Sequence, residues 1–429
     1  MTKEKGTNIV FFIGCLLLFL CNVVPFTIYS IKIISFLFLL FSSLYIVFKS
    51  YRKSVSTKVQ IWFFIYIGFG FFYSIVGMFN KPEQEINILR SSTVNVLWPI
   101  LFFCIMPLFS IKNFSFKKIN KTLVYSTFII GLFLFLAGLS FMGVLPIPID
   151  YFFNTKLIVG KTEASVQLFN PAVTSLMYLL PFLVCYFLLK LNKKDKLKGL
   201  LIIITFFLGI ASVVITGRRA LILNVLIAPI FFLIILFLIK DKSIKSLKKG
   251  IYLQIFVLFA IIFIISLILI QLDVLDVSIV TNTFVDSFDF NKNSVDKSSE
   301  LRGIQFNGLM KSFNDYPIFG SGLGTHSNYI IRSNESPWIY ELSYGAILYQ
   351  TGITGMIIYL GLISYPILKS IKFIIKGEFM LLPHLIGLMC FLVANASNPY
   401  LAAFDHLWPL FLNIGFINYY MINNKQEKV

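Results

Sequence analysis

The chain has 429 residues, of which 58% are hydrophobic and only 13% charged. No soluble domain could hide that much apolar surface, because exposed area grows too steeply with size, whereas a bilayer accepts it if the apolar residues come in runs of about 20. A net charge of +18 would suit a nucleic-acid partner, but the distribution of the basic residues argues against one.

Met1–Thr7 carries Lys3 and Lys5 and leads into an apolar run, Ile9–Val24. No small-x-small cleavage site follows, and Ile28–Phe48 begins at once, so the first run reads as an uncleaved span and not as a secretory signal. Further spans are predicted at Val59–Phe79, Val94–Phe109, Thr122–Leu145, Ala172–Leu189, Gly199–Ile215, Ala220–Ile239, Ile251–Leu272, Tyr344–Leu368, Leu381–Ala396 and Leu407–Ile422. The expectation is an all-α helix bundle of about 12 transmembrane helices forming a single transmembrane domain over residues 1–429. Cys15, Cys21, Cys104, Cys185 and Cys390 all fall inside apolar runs, where they read as small buried hydrophobes and not as disulfides or metal ligands.

Alternate connections are lysine-rich: Lys49–Lys58, Lys112–Lys121, Lys190–Lys198, Lys240–Lys249, Lys369–Lys376 and the two ends. Together they hold 24 lysines and Arg52 against five acids, while the other connections hold 11 basic residues against 14 acids. Basic loops stay on the cytoplasmic side during insertion, so both termini are expected in the cytoplasm, and the net charge needs no polyanionic partner. Lys32 alone lies within a span, near an end from which it would snorkel.

On the opposite, outer side, two connections are long: Pro146–Pro171 and Asp273–Ser343. The second exceeds what a link requires, which favours a functional or folded element. It opens polar (Asp286–Glu300), continues with apolar residues at helical spacing (Leu301, Ile304, Leu309, Phe313), and reaches a glycine-rich stretch, Phe319–Thr325. One or two short helices lying over the bundle are expected there. Asp289–Glu300 has acids spaced like a calcium loop, but Ser294 and Asp296 replace the glycine and apolar residue such a loop needs.

Five of the six arginines lie on that outer side: Arg90, Arg218, Arg219, Arg302 and Arg332. A guanidinium grips phosphate through two parallel hydrogen bonds, which lysine cannot do, so an anionic ligand is one reading. Pairing with Glu83, Glu85, Glu300 or lipid phosphates is the other. Arg218 and Arg219, held together in a tight turn between two spans, favour the first.

Four stretches then occur in order: Thr216-Gly-Arg-Arg-Ala-Leu-Ile-Leu; Arg302-Gly-Ile-Gln-Phe with Pro317-Ile-Phe-Gly-Ser-Gly-Leu-Gly324; Glu341-Leu-Ser-Tyr with Gly352-Ile-Thr-Gly355; and Asn395-Ala-Ser-Asn-Pro-Tyr400. This order resembles the O-antigen polymerase and O-antigen ligase superfamily, over roughly Gly209–Pro409. The resemblance implies a glycosyltransferase of the bacterial cytoplasmic membrane, working on its outer leaflet without metal, nucleotide sugar or other cofactor. The donor would be a polyprenyl-pyrophosphate-linked oligosaccharide, with a flippase and a chain-length regulator of the same pathway as partners. Arg218 and Arg302 match positions that bind the pyrophosphate, with Arg219 beside the first. Ligases carry a His before their Gly-x-x-Gly; here Glu341-Leu342 stands at that place, which favours a polymerase.

The chemistry suits these residues independently. Fixed arginines stabilise the charge that builds on a departing pyrophosphate, and a desolvated carboxylate can accept the proton of the attacking hydroxyl. Glu341 is the first candidate base, with His326 and Glu335 as alternatives; an ion pair with an arginine is the competing role for Glu341. His326 also reads as a polar loop residue, and His384 and His406 as structural or interfacial. Trp338 and Tyr340 offer rings for stacking on sugars or for an interfacial belt.

Overall fold

A computed structural model gives the fold, describing residues 2–49, 54–111, 116–141, 145–146, 158–162, 165–169, 171–190, 196–216, 218–239 and 297–426. The predicted span Ile251–Leu272 and most of the calcium-like stretch lie outside them. The helices are α1 (Thr2–Val23), α2 (Tyr29–Lys49), α3 (Thr57–Asn80), α4 (Glu85–Ser92), α5 (Trp98–Ile105), α6 (Phe116–Phe141), α7 (Val173–Lys190), α8 (Lys196–Thr216), α9 (Arg219–Leu238), α10 (Lys297–Asp315), α11 (Ser343–Ile375), α12 (Leu382–Asn395) and α13 (Trp408–Gln426). Among the described residues, the departure from an all-α architecture is an antiparallel hairpin, β1 (Ile158–Thr162) with β2 (Ser165–Phe169), in the long connection after α6.

Six helical stretches are long and apolar enough to cross a membrane: Tyr29–Phe48, Thr57–Asn80, Pro82–Ser110, Phe116–Ser140, Arg219–Leu238 and Ser343–Ile375. Four more, Asn8–Val23, Val173–Leu189, Gly199–Val213 and Phe379–Asn395, are apolar but shorter. The Pro82–Ser110 stretch corrects the expected loop before Val94. Its chain coils at Pro82 and stays helical through α4, a π-helical turn at Thr93–Leu97, and α5.

Burial follows the apolar distribution around each helix. In α7, Val173–Cys185 is buried on every side, and it packs against α8, α9 and α12. A helix apolar all round belongs in the middle of a bundle, and α12 and α13 share that position. By contrast α2 exposes Ile34, Phe41 and Phe48, as a helix facing hydrocarbon would. All five cysteines are free thiols, three of them buried.

Among the described residues, Lys118 bonds Asn8 where α1 and α6 begin, and Lys369 near the end of α11 neighbours Lys58 at the start of α3 and Lys372. At the opposite ends of these helices lie the α1–α2 turn, the ends of α3 and α8, α10, the start of α11 and the α12–α13 connection.

The glycine-rich stretch after α10 is built into α11. Gly352 interrupts that helix with φ 64°, where the left-handed region favours glycine. The backbone groups this break releases are taken by the loop. Ser321 and Gly322 N–H donate to Tyr349 and Gln350 carbonyls (3.2 and 2.7 Å), and Ile353 and Thr354 N–H donate to Pro317 and Ile318 carbonyls (3.0 and 3.2 Å). Gly322, also at positive φ (108°), lies against the backbone of Gly77 in α3, and Leu323 N–H reaches the Tyr73 carbonyl at 2.9 Å. Gly322→Ala must then move backbone, and the expected loss is about 3 kcal/mol. Thermal unfolding of the detergent-solubilised variant checks it.

The helix expected at Leu301–Phe313 forms as α10, and its inward face is Arg302, Gln305, Gly308, Leu309 and Ser312, while Leu301 and Ile304 point outward. The polar groups are drawn in because they have partners: Gln305 Oε1 accepts from Leu342 N–H at 3.0 Å, and the Ser312 and Ser327 hydroxyls meet. Lys32 does not snorkel. It is 1% exposed, and its ammonium donates to Asp405 Oδ1 at 2.9 Å and to the Val24 carbonyl at 2.8 Å.

Candidate functional site

Three segments distant in sequence meet at the end of α11 away from Lys369 and Lys372. Arg218 is the N-cap of α9, with extended backbone (φ −77°, ψ 110°), and the helix it precedes begins with Arg219. Arg302 projects from the first turns of α10. Glu341 lies two residues before α11. The Glu341 carboxylate is gripped from two sides: Arg302 Nε donates to Oε2 at 3.1 Å and Arg332 Nη2 to Oε1 at 2.8 Å. These side chains are 26%, 25% and 41% exposed for Arg302, Glu341 and Arg332, so the cluster is open to a ligand.

Tyr400, on the short turn Tyr400–Ala402 between α12 and α13, joins this cluster. Its ring is 5% exposed, and its hydroxyl completes no hydrogen bond of good geometry. Burial pushes the phenol pKa up. Arg218 beside it pulls the other way, Arg302 adds to that pull, and Glu341 opposes it. One phenol therefore senses all three charged groups. The turn is fixed from within its own motif, since Asn395 Oδ1 accepts from Leu401 N–H at 2.9 Å. No charge pattern marks Tyr400 among 20 tyrosines. Its only sequence signal is its place at the end of Asn395–Tyr400.

The remaining candidates are elsewhere. His326 sits against the end of α3: its N–H donates to Gln84 Oε1 at 2.6 Å, and its carbonyl accepts from Tyr349 OH at 2.8 Å. Burial and nearby Lys81 lower its pKa, with Glu83 opposing, so the ring is neutral at pH 7. Glu335 is exposed, with its N–H turned to Ser333 Oγ. Arg90 is exposed in the last turn of α4. Trp338 is half-buried, and its carbonyl accepts from Gln350. Tyr340 is enclosed: it is 1% exposed, accepts from Ser327 N–H at 2.8 Å and donates to the Ile330 carbonyl at 3.1 Å. Its ring packs with Leu309, Ala346 and Tyr349 and has no face open for a sugar, which corrects the stacking expectation.

His384 and His406 are buried and structural. His384 lies between Tyr178 and Asn120 (3.0 and 2.7 Å), and His406 meets the Thr174 hydroxyl at 2.8 Å.

An arrangement with two or three guanidiniums, a phenol and one carboxylate can bind an anion with more than one phosphate-like oxygen face. Compared with known proteins, the chain matches no protein-family model and no curated protein.

Proposed function

We propose that this chain is a polymerase that joins polyprenyl-pyrophosphate-linked oligosaccharide repeat units at the outer leaflet of a bacterial cytoplasmic membrane. In this reading about twelve spans cross the bilayer, both termini lie in the cytoplasm, and the arginine cluster faces outward. One observation carries it: Arg218 and Arg302, separated in sequence, converge with Glu341 and Tyr400, at the end of α11 opposite to Lys369 and Lys372.

The reaction needs no bound metal or cofactor in this scheme. An acceptor sugar hydroxyl attacks the anomeric carbon of the donor. The bond from that carbon to the phosphate oxygen breaks, and the diphosphate leaves with the bonding electrons. Arg218 and Arg302 stabilise the charge on it, and Glu341 takes the hydroxyl proton. A flippase would supply the donor, and a chain-length regulator would act on the product.

Deletion of the gene and complementation test this. Loss of the chain leaves single repeat units, and Arg302→Ala complements no better than an empty vector although the protein reaches the membrane. A ladder of normal length from Arg302→Ala defeats the reading. Full-length polymer retained on the lipid carrier would instead indicate a ligase.

A transporter or lipid-glycan flippase is the second reading; its only support is the buried Lys32–Asp405 pair, which lies at the end of the bundle and not at midplane, where transport sites sit. Purified protein in detergent separates the two, because elongation of a lipid-linked substrate there requires catalysis and transport is absent.

A further inference from the structure

The Glu341 carboxylate occupies the seat of an anion. Each of its oxygens takes a hydrogen bond from a different arginine, Arg302 at 3.1 Å and Arg332 at 2.8 Å, as two oxygens of a phosphate would. The two arginines come from different segments, α10 and the loop that follows the glycine-rich stretch, and Glu341 holds them together. Without an internal anion, the loop would bring two guanidiniums together beside Arg218 with only solvent to screen them.

We propose that Glu341 is a stand-in for the diphosphate, displaced from Arg302 and Arg332 when the substrate binds. This rests on the polymerase reading and concerns how the same site is loaded. The charges fit, because a diphosphate esterified at both ends carries two negative charges against the single one of Glu341 and so competes well for the same two guanidiniums. All three paired side chains are partly exposed, so an incoming anion can reach them without unfolding the loop. Exchange has a second effect. Both Glu341 oxygens face guanidiniums in the empty site, and displacement by the diphosphate releases them toward an acceptor hydroxyl only when the leaving group is seated.

The sign of one binding measurement separates this role from a merely structural ion pair. Inorganic pyrophosphate is titrated into the purified full-length protein in detergent, wild type and variants, by calorimetry. Removing the competing carboxylate with Glu341→Gln is expected to tighten pyrophosphate binding about five- to tenfold, the scale of a pair of partly exposed ion pairs. Elongation by the same variant is expected to fall by at least about a hundredfold, because the base is gone. Binding unchanged or weaker in Glu341→Gln, with wild-type thermal stability, overturns the stand-in. If that variant is unstable, Glu341→Asp answers instead. A shortened carboxylate that holds the arginines less well should tighten pyrophosphate while keeping part of the activity, and weaker binding there likewise overturns the proposal. Arg218→Ala and Arg302→Ala form the control arm. If neither weakens pyrophosphate, it is the diphosphate site itself that fails, and with it the polymerase reading.

Discussion

Arg218→Lys is expected to lower elongation by roughly a hundredfold or more, close to the effect of Arg218→Ala, although it keeps the positive charge. A fixed donor aimed at developing charge is worth about 10²–10³ in turnover. Lysine would not replace it, because its ammonium offers a point charge where the guanidinium offers a planar fork. The position sharpens this. Arg218 is the N-cap residue of α9, so its backbone is set by the turn and its side chain leaves from a fixed point toward Tyr400. The helix that follows adds its own partial positive end at the same place. Initial rates with a lipid-linked donor give the comparison, and detergent-phase thermal unfolding confirms that the lysine variant is folded. Wild-type rates from Arg218→Lys would reduce the role of this residue to bulk charge.

Asp405→Ala is the substitution with the largest expected effect on stability, about 3–5 kcal/mol. Asp405 is 1% exposed, and its carboxylate serves two donors, Lys32 Nζ at 2.9 Å and Phe26 N–H at 2.6 Å. Removing it strands a buried ammonium and a backbone N–H together. Lys32→Met should cost a similar amount by leaving the carboxylate alone. The double variant Lys32→Met with Asp405→Leu should recover much of the loss, because the desolvation of both charges disappears with them. Unfolding midpoints of wild type, Lys32→Met, Asp405→Leu and the double variant form the cycle. Additive losses would mean that the pair contributes nothing as a pair. The anchor bears on the site through the chain, because Asp405 follows the Tyr400–Ala402 turn by three residues and ties it to the α1–α2 connection.

How far the sequence foretold this differs between elements. Helices such as Thr57–Asn80 and Ser343–Ile375 are legible because apolar length and lysine-rich ends are local properties. The arginines are legible as candidates because their residue type is out of proportion on one side of the chain. Which of them meet is not legible, since Arg218, Arg302 and Tyr400 are joined only by the packing of α9, α10 and the α12–α13 turn. The orientation of α10 does not follow its apolar residues, for a physical reason. Apolar periodicity predicts the buried face when the outside is water, yet Gln305 and Ser312 turn inward to bond Leu342 and Ser327, leaving Leu301 and Ile304 exposed. Lys32 shows the same limit. A lysine near a span end snorkels unless an acid waits for it, and Asp405 stands 373 residues away.

The splice between the glycine-rich stretch and the broken turn of α11 has a mechanical consequence. Four backbone bonds rivet residues 317–322 to residues 349–354, and Leu323 adds another to α3. A protease nick among the exposed residues Asn328, Tyr329 and Asn334 would cut the covalent path between Arg302 and Glu341. The severed halves would still be clasped above and below the cut, and they should co-purify as one particle.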